Sequence, residues 1–229
     1  TILAADYSQI ELRLIAAMSQ DESMFESFCN GEDIHAATAS KIYAIPLQEV
    51  TSEMRRNAKT VNFGIIYGMS AFGLSERLNI SRKEAADIIY QYFDKYPKIK
   101  QYMENQKAFA QQHGYVETLL KRRRYIRDIH SNNSIVRGFA ERNAINAPIQ
   151  GSAADMIKLA MIKIHNEIEK RNLRSFITMQ VHDELVLDVY KPELEEVKVI
   201  VYDGMINAMP ITVPLEIDIK SGDNWLEAH

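Results

Sequence analysis

Cysteine is almost absent from the sequence, and the single one present, Cys29, cannot form a disulfide within the chain. Stabilisation by a disulfide framework is therefore excluded, and a reducing compartment is expected. No apolar run is long enough to span a bilayer. The opening residues also lack the basic segment and the apolar stretch of a secretory signal. These absences predict a cytoplasmic protein without a membrane partner.

An excess of positive charge is also missing, because 27 Lys and Arg residues stand against 31 Asp and Glu residues, for a net charge of −4. This balance argues against a protein that coats nucleic acid with its whole surface. The net charge does not exclude a basic groove on one part of the surface, because a ligand responds to the electrostatic field close to it. The length of 229 residues and the hydrophobic fraction of 46% allow one large domain or two closely associated subdomains.

β-Strand patterns are confined to the two ends of the chain, whereas helical patterns fill the middle. The first apolar run ends at Asp6, and the late strands follow a periodic helix that starts at Ala153. Pro148 is expected to separate this helix from an earlier one over 134–147. The distribution indicates an α+β fold, in which both ends build one sheet and a helical subdomain is inserted between them. The predicted strands are 1–5, 176–181, 184–190 and 213–219.

A long helix is predicted over about 52–67, with Thr51 as its N-cap and Gly68 at the C′ position that favours glycine. Two cations and two aromatic residues recur at every fourth position, which places them in one slanted stripe. Cations and flat rings in this order suit the phosphates, sugar and base of a nucleoside triphosphate. The alternative is that the rings belong to the core and the cations are merely solvated. The four residues are Arg55, Lys59, Phe63 and Tyr67.

Two aspartates occupy positions where an unpaired charge would be costly. Asp6 ends the first predicted strand, and Asp183 interrupts the apolar stretch 177–189. A tight turn at or near His182 and Asp183 would make this stretch a hairpin with the acids at its tip. Carboxylates that approach one another repel unless a cation lies between them, and magnesium prefers oxygen ligands of this kind. Two unrelated turn aspartates are the alternative, since the sequence does not show that the two meet.

Three motifs resemble the signatures of the family A DNA polymerases, the bacterial DNA polymerase I type, and they occur in that family's order. They are DYSQIELR (6–13), RRNAKTVNFGIIYG (55–68) and VHDELV (181–186). The segments DIHAATA (33–39) and ERNAINAPIQGSAAD (141–155) and the ending SGDNWLEAH also match. Because the match runs over essentially the whole chain, the sequence is identified as a member of this family.

The resemblance implies an antiparallel palm sheet built from both chain ends, with a mostly helical fingers subdomain inserted in it. The palm would comprise 1–14 and 136–229, and the fingers 15–135. In the family a thumb, further palm strands and usually nuclease domains precede the first motif. A C-terminal palm and fingers fragment is therefore expected, with thumb and nuclease domains absent. It would be cytoplasmic and associated with a bacterial nucleoid.

Carried over residue by residue, the resemblance assigns the catalytic centre to two carboxylates. Asp6 and Asp183 would bind two Mg²⁺ ions, with Mn²⁺ as a substitute, and the Tyr7 carbonyl would complete the coordination of one ion. Glu184 would be an auxiliary acid near the metals. Lys59 would also be catalytic, as the donor of a proton to the leaving pyrophosphate.

The resemblance also implies how nucleotide and DNA are bound. Glu11 would be a steric gate, whose side chain fills the space of a ribose 2′-OH and so favours deoxyribose. Phe63 would lie against the sugar, and Tyr67 near Glu11 and the templating base. The nucleotide-binding residues would be Gln9, Glu11, His35, Arg55, Lys59, Phe63 and Tyr67. The DNA-binding residues would be Arg142, Asn146, Gln150 and His182.

Two of these residues and one further segment also have an interpretation without any functional role. His35 could be a surface histidine, and His182 a turn histidine. The densest basic run, KRRRYIR over 121–127, is in isolation typical of a solvated loop. Its position within the region that matches the fingers would also allow contact with the backbone of a template strand.

The implied function is template-directed DNA synthesis, in which a primer 3′-OH attacks a deoxynucleoside triphosphate by two-metal nucleotidyl transfer. Primer–template DNA and deoxynucleoside triphosphates are the expected partners. Without a thumb, the fragment is expected to be weak or inactive alone and to self-associate through its truncated palm. The alternatives are a nucleotide- or DNA-binding module without turnover, and a metal-dependent nuclease that uses the same aspartates.

Overall fold

The computed structural model describes all 229 residues, from Thr1 to His229. The helices are α1 (Ile10–Ser19), α2 (Glu22–Cys29), α3 (Ile34–Ile42), α4 (Ser52–Ile66), α5 (Ala71–Leu78), α6 (Arg82–Lys95), α7 (Pro97–His113), α8 (Ser134–Lys170), α9 (Leu194–Ile206) and α10 (Trp225–Ala228). The strands are β1 (Ile2–Tyr7), β2 (Tyr115–Glu117), β3 (Arg123–Tyr125), β4 (Phe176–Val181), β5 (Glu184–Asp188) and β6 (Ile217–Gly222). None of the helices combines the length and the apolar character needed to cross a membrane.

The chain forms two compact units. The first, here called the sheet unit, consists of Thr1–Leu14 and Gln150–His229, and the second, the helical unit, is the segment Ile15–Ile149. The helical unit thus extends to Ile149, whereas the resemblance placed the end of the fingers at residue 135. The names palm and fingers remain predictions for these units.

The sheet unit contains one four-stranded sheet in the order β4-β5-β1-β6. Neighbouring strands are antiparallel throughout, and β1 pairs with β5 on one side and with β6 on the other. The inner strands are apolar, and Leu3, Leu185 and Leu187 are fully buried. Because β1 comes from the start of the chain and its partners from the end, the predicted α+β fold is confirmed.

Strands β4 and β5 form the predicted hairpin. Val181 pairs with Glu184, so His182 and Asp183 alone make the turn. His182 has a φ of 56°, and a positive φ at the first central residue is typical of a type II′ turn. The tip of the hairpin therefore carries Asp183 out of the apolar run, as the sequence predicted, whereas Glu184 lies in β5 and is buried.

The last strand differs from the prediction. The sequence indicated a strand over 213–219, but β6 begins only at Ile217. Pro214 explains the shift, because proline has no N–H to donate to a neighbouring strand, and its carbonyl instead accepts a hydrogen bond from the Arg13 side chain. Val213 is nevertheless buried, so its apolar character reflects core packing and not strand formation.

Pro148 does not interrupt its helix, and this prediction was wrong. Helix α8 runs without a break from Ser134 to Lys170 and contains the proline. An internal proline removes one backbone hydrogen bond and costs about 3 kcal/mol. Buried side chains before and after it, including Ile145 and Ile157, offset this cost, since a fully buried apolar side chain contributes about 1.5–3 kcal/mol.

In the helical unit, the predicted long helix is α4. Thr51 is its N-cap, and the Thr51 hydroxyl accepts a hydrogen bond from Met54 N at 3.2 Å. Gly68 follows the C-cap residue Tyr67 with a φ of 75°, so the predicted glycine position is confirmed. Gly64, within the helix, is packed closely by a methionine side chain, because a Cβ atom there would lie 3.1 Å from the sulfur of residue 69.

The basic run 121–127 contains a strand, because Arg123–Tyr125 form β3 opposite β2. Arg123 donates to Glu117 Oε1 at 3.1 Å, and its guanidinium lies 4.4 Å from the centre of the Tyr115 ring. All three residues of β3 are exposed. The basic side chains of the run are therefore solvated, whereas Ile126 within it is buried, and part of the run is strand instead of loop. Contact with a template remains a prediction.

Gly204 allows α9 to lie close against α8 within the sheet unit. A Cβ atom added there would lie 2.5 Å from Ile164 Cγ1, and Ile164 is fully buried. We expect Gly204→Ala to lower the free energy of unfolding by about 1–3 kcal/mol, because overpacking outweighs a gain of about 1 kcal/mol in helix propensity. Urea denaturation followed by circular dichroism measures this change.

Gly138→Ala in α8 is the matched control. Apart from the adjacent residues and the backbone of its own helix, the only atom within 4 Å of its added Cβ would be Arg142 Nη1 at 3.6 Å, an ordinary contact. We expect this variant to match the unchanged chain or to exceed its stability by up to about 1 kcal/mol. Equal destabilisation of both variants would contradict the packing argument.

Candidate active site

The predicted site residues fall into two sets, one in each unit. Those in the sheet unit are Asp6, Tyr7, Gln9, Glu11, Gln150, His182, Asp183 and Glu184. Those in the helical unit are His35, Arg55, Lys59, Phe63, Tyr67, Arg142 and Asn146. Each unit therefore carries its own part of the predicted machinery.

An acidic cluster surrounds Asp6 on the sheet. Asp6 pairs with Glu184 of β5 on one side and with Asp218 of β6 on the other. Residues directly opposite one another on antiparallel strands project to the same face, so three carboxyl groups share one face of the sheet. Asp183 joins them from the hairpin, because its carbonyl accepts a hydrogen bond from Tyr7 N at 3.3 Å. The two aspartates that the sequence could not bring together are thus neighbours.

One oxygen of Asp6 has no hydrogen-bond donor. This atom, Oδ1, is buried and without a partner. Burial, followed by the neighbouring charges of Asp183, Glu184 and Asp218, raises the pKa of Asp6 to about 6, although His229 acts in the opposite direction. A carboxylate with an orphaned oxygen among other acids is an arrangement that a bound cation relieves.

Glu184 differs from Asp6, because both of its oxygens have partners. Trp225 Nε1 donates to Glu184 Oε1 at 3.0 Å, and His229 Nδ1 lies 3.4 Å from Oε2. Glu184 is also buried. The segment 225–229 therefore holds this acid in place and leaves it less available to a cation than Asp6 is.

The oxygen donors suit a hard divalent cation such as Mg²⁺. Across the described chain, Thr1 to His229, no three His, Cys, Asp or Glu side chains are grouped so that they could hold a metal ion by themselves. Magnesium is typically bound by one or two carboxylates together with substrate phosphates, and the pair Asp6 and Asp183 meets that pattern. The residues present therefore fit a metal whose coordination the substrate completes.

A cleft of about 420 Å³ opens beside Asp183 in the sheet unit. The predicted site residues that line it are Tyr7, Glu11, Gln150, His182 and Asp183. Tyr7 is anchored from the core side, because its hydroxyl donates to the Met205 carbonyl at 2.7 Å. Glu11 lies in the first turn of α1, from which its side chain limits the room in the cleft.

Gln9 forms the sharp turn between β1 and α1. Its φ is 55°, an uncommon value for a residue other than glycine. Its carbonyl accepts hydrogen bonds from Leu12 N and Arg13 N, both at 3.1 Å. The turn brings Glu11 into the helix directly after the strand that carries Asp6. Backbone strain of this kind clusters at functional sites, where the surrounding structure must hold it.

In the helical unit, the stripe of cations and rings is present on α4. Arg55 and Lys59 are exposed, whereas Phe63 and Tyr67 are half-buried, with their ring centroids 6.2 Å apart. Arg55 Nε donates to Asp33 Oδ2 at 2.5 Å. Since Asp33 is the N-cap of α3, this ion pair ties the guanidinium to the start of the neighbouring helix.

His35 lies beside the stripe, with its ring centroid 5.8 Å from that of Phe63. The residue is 2% exposed, so the alternative of a surface histidine is wrong. Burial lowers the pKa of His35 to about 4, while Asp33 opposes this shift and Arg55 and Lys59 add to it. The imidazole is therefore neutral near pH 7.

Arg142 and Asn146 lie on the part of α8 that belongs to the helical unit. Gly68 gives Arg142 its room, because a Cβ atom at Gly68 would lie 2.8 Å from Arg142 Cγ. Arg142 is exposed, whereas Asn146 Oδ1 is buried and has no hydrogen-bond partner. An exposed guanidinium and an acceptor without a donor are both suited to an added ligand.

Three residues at these sites were not singled out from the sequence, namely Asp33, Asp218 and Trp225. Asp218 lies beside Asp6, and the alternation of LEID (215–218) was the available signal. Asp33 and Trp225 each act through a partner on another element, so no local pattern indicated them. His182 is both a turn residue and part of the cleft lining, so its two interpretations are compatible.

The chain also matches a known protein family over almost its whole length. The profile of DNA polymerase family A matches residues 1–227. The chain therefore belongs to family A of the DNA polymerases.

Individual relatives are similar over nearly the whole chain. The DNA polymerase I of Caldicellulosiruptor bescii is 50% identical over 226 residues, which cover 99% of this chain and 27% of that protein. The DNA polymerase I of Bacillus caldotenax is 51% identical over 227 residues, which cover 99% of this chain and 26% of that protein. The chain thus spans about a quarter of the length of these curated relatives.

A solved structure has the same fold. It is the POL domain of Pol1 from M. smegmatis in complex with DNA primer-template and dNTP. It superimposes with a TM-score of 0.97 at 45% sequence identity, over 99% of this chain and 40% of that one.

The acidic cluster generates a prediction about stability and pH. The pKa of Asp6 is raised from 3.8 to about 6 in the folded chain, so ionisation of Asp6 disfavours folding. The contribution of Asp6 to the free energy of unfolding is fully present below pH 3.8 and is lost as the pH rises through about 6. We expect Asp6→Asn to unfold with a higher free energy than the unchanged chain above pH 7, by about 1–2 kcal/mol after allowance for solvent screening. The difference should vanish below about pH 4.

Urea denaturation in metal-free buffer between pH 3 and 8 measures this difference. The control is Asp188→Asn, at the exposed end of β5, which should change stability little at any pH. Addition of Mg²⁺ should stabilise the unchanged chain and not Asp6→Asn. An Asp6→Asn variant that is less stable than the unchanged chain at pH 8 would refute the repulsion.

Proposed function

We propose that this chain carries a centre for template-directed DNA synthesis, that is, a DNA-directed DNA polymerase activity. A primer 3′-OH attacks the α-phosphorus of a deoxynucleoside triphosphate, and pyrophosphate leaves. The observation that carries the proposal is the orphaned oxygen of Asp6 in its acidic cluster, together with the neighbouring cleft that Asp183 and Glu11 line. The similar Pol1 domain is described with primer-template and dNTP, which supports the same partners here.

Asp6 and Asp183 supply the carboxylates for metal binding, and the Tyr7 carbonyl supplies a further oxygen. When bound, two Mg²⁺ ions, for which Mn²⁺ substitutes, supply activation of the attacking hydroxyl and stabilisation of the departing charge. Asp6, with its pKa at about 6, is largely ionised at neutral pH and able to receive a cation. Glu184 is an auxiliary acid, which contributes negative charge from a fixed position.

The exposed cations of α4 bind the triphosphate. Arg55 and Lys59 offer charge-assisted hydrogen bonds from the exposed face of the helix. Lys59 donates a proton to the leaving pyrophosphate. His35, which lies against Phe63, contributes a neutral imidazole donor. Fixed donors aimed at developing charge stabilise the transition state without reorganisation.

The sugar and base meet flat, half-buried surfaces. Phe63 packs against the sugar, and Tyr67 packs near the templating base. Gln9 binds the nucleotide from the turn before α1. Glu11 borders the cleft and acts as the steric gate, which rejects ribose by occupying the space of its 2′-OH.

Four residues bind the primer–template duplex near the newest base pair. The exposed guanidinium of Arg142 is suited to a phosphate or a base edge. Asn146 Oδ1, which lacks a donor, is suited to a donor on a base. Gln150 and His182 line the cleft beside Asp183, which supports contact with the primer end.

Replacement of Asp183 tests this function in the whole protein that contains the chain. We expect Asp183→Ala to reduce primer extension by about a thousandfold, because loss of a metal ligand removes several kcal/mol of transition-state stabilisation. Binding of a deoxynucleoside triphosphate, measured by calorimetry, should change little. Asp188→Asn, exposed at the end of β5, is the control and should extend primers normally.

The same assay separates the alternatives. Undiminished incorporation by Asp183→Ala would sink the catalytic assignment. A protein that degrades primers through Asp6 and Asp183 but never extends them would be a metal-dependent nuclease. One that binds nucleotide or DNA without turnover would be a binding module.

A polypeptide of these 229 residues alone is expected to bind primer–template weakly, to extend it poorly or not at all, and to self-associate. Contacts with backbone phosphates dominate DNA affinity, and a net charge of −4 disfavours them. Strands β4 and β6 are the edges of the sheet, and unpaired edges favour association. Sedimentation velocity with a fluorescent primer–template measures both properties.

Two results would refute these expectations separately. A dissociation constant well below about 1 µM at physiological salt would be tighter than ordinary non-specific binding and would contradict the expected weak binding of primer–template. A strict monomer at high concentration would contradict the expected self-association.

A further inference from the structure

Asn62 is a buried amide on α4 that lies against His35 of α3. It is 0% exposed, and its Nδ2 atom is 2.9 Å from His35 Nδ1. Its Oδ1 atom is 3.1 Å from the hydroxyl of Thr38, also on α3. A buried amide is costly unless it is hydrogen-bonded, so these two contacts fix where the carboxamide lies. The proposed function assigns no role to Asn62.

The amide dictates which ring nitrogen of His35 carries a proton. An amide nitrogen donates and does not accept, so His35 Nδ1 must accept from Asn62 Nδ2. A neutral imidazole has a single N–H, which therefore belongs to Nε2. The Thr38 hydroxyl donates to the Ile34 carbonyl at 2.8 Å, and its oxygen lies 3.1 Å from Asn62 Oδ1 and 3.5 Å from the Tyr96 hydroxyl.

The tautomer matters because the His35 ring is neutral near pH 7 and does not attract phosphate by its own charge. The charged groups that act on the ring are Asp33 from α3's N-cap and Arg55 and Lys59 from α4. A neutral ring binds an anionic oxygen only through its N–H. With the proton on Nδ1, the lone pair of Nε2 would face the phosphate and repel it.

We propose that Asn62 is a positioning residue for triphosphate binding, which holds His35 as the Nε2–H tautomer so that the ring donates a hydrogen bond to a phosphate oxygen. The inference rests on the proposed function, since it requires His35 to contact the triphosphate. It adds a residue that acts through His35 and does not itself touch the nucleotide.

Nitrogen-15 NMR of histidine-labelled protein reads the tautomer without any assay of activity. The chain has 6 histidines, and the ring signals of His35 are identified by their loss in His35→Gln. At pH 7.5 we expect a protonated Nε2 and an unprotonated Nδ1. A proton on Nδ1 would overturn the proposal, because the amide would then be turned by half a rotation, with its oxygen against the ring.

Asn62→Asp replaces the group that donates to His35 Nδ1 by one that requires a donor. A carboxylate accepts and does not donate, so we expect the proton to move to Nδ1 and the pKa of His35 to rise. Asn57→Asp is the matched control, since it adds the same charge to α4 at a residue that bonds to the Tyr43 hydroxyl at 3.2 Å instead of to His35. An unchanged tautomer in Asn62→Asp, or the same change in Asn57→Asp, would overturn the proposal.

Inorganic triphosphate, used as the probe with the same samples, tests the consequence for binding. It should shift the Nε2 signal of His35 in the unchanged chain. At pH 8 we expect Asn62→Asp to bind it about tenfold more weakly than Asn57→Asp does, the loss of one hydrogen bond to a charged group. The affinity should recover as the pH falls and the ring becomes protonated. Equal affinities at every pH would overturn the proposal.

The two measurements separate failure of this inference from failure of the proposed function. An Nε2–H tautomer with no response to triphosphate would remove His35 from the nucleotide site and overturn the proposal with it. An Nδ1–H tautomer with a clear response would leave the nucleotide site intact and overturn the role of Asn62 alone. The tautomer is read in the unchanged chain, with His35→Gln used only to identify the signals, so a misfolded Asn62→Asp would not prevent the test.

Discussion

Pairing of β1 with two strands from the far end of the chain is the constraint on which the acidic cluster depends. The register places Asp6 directly between Glu184 and Asp218, and the surrounding structure shields one oxygen of Asp6 from any donor. Mutual repulsion among these acids works against the sheet, and the apolar interior of the same strands, including Leu3 and Leu187, holds them together. The sheet thus keeps negative charge concentrated at a site where a divalent cation would be strongly favoured.

The helical unit handles the opposite charge in a different way. Its cations stay exposed on α4, where water solvates them until an anion arrives, and Asp33 fixes Arg55 through a single ion pair. His35 lies beside them and remains neutral, chiefly because burial disfavours the charged ring and, to a smaller extent, because Arg55 and Lys59 repel a third positive charge. If a triphosphate binds as proposed, it meets two exposed charges and one buried neutral donor. The charges would supply attraction, and the buried donor would supply direction.

The sequence predicted those features that arise from local chemistry. Helix α4, its cap at Thr51 and the hairpin turn after Val181 all follow from patterns a few residues long, and the structure contains each of them. Predictions failed where tertiary packing decides, since buried neighbours carry α8 straight through Pro148. The meeting of Asp6 with its partners could be inferred only through family resemblance, because no local pattern encodes strand register between distant segments. The contact of Asn62 with His35 escaped notice for the same reason.

The order in which the strands are synthesised has a consequence for incomplete chains. Within these residues, β1 is synthesised before both of its neighbours, β5 and β6. Even Thr1 finds its partner at Gly222, where its hydroxyl donates to the carbonyl at 2.7 Å. A nascent chain stalled before β5 would carry Asp6 on an unpaired strand, with none of the neighbours that concentrate charge around it. A product truncated before β5 would therefore lack Glu184 and Asp218, the two carboxyl groups that flank Asp6 on the sheet.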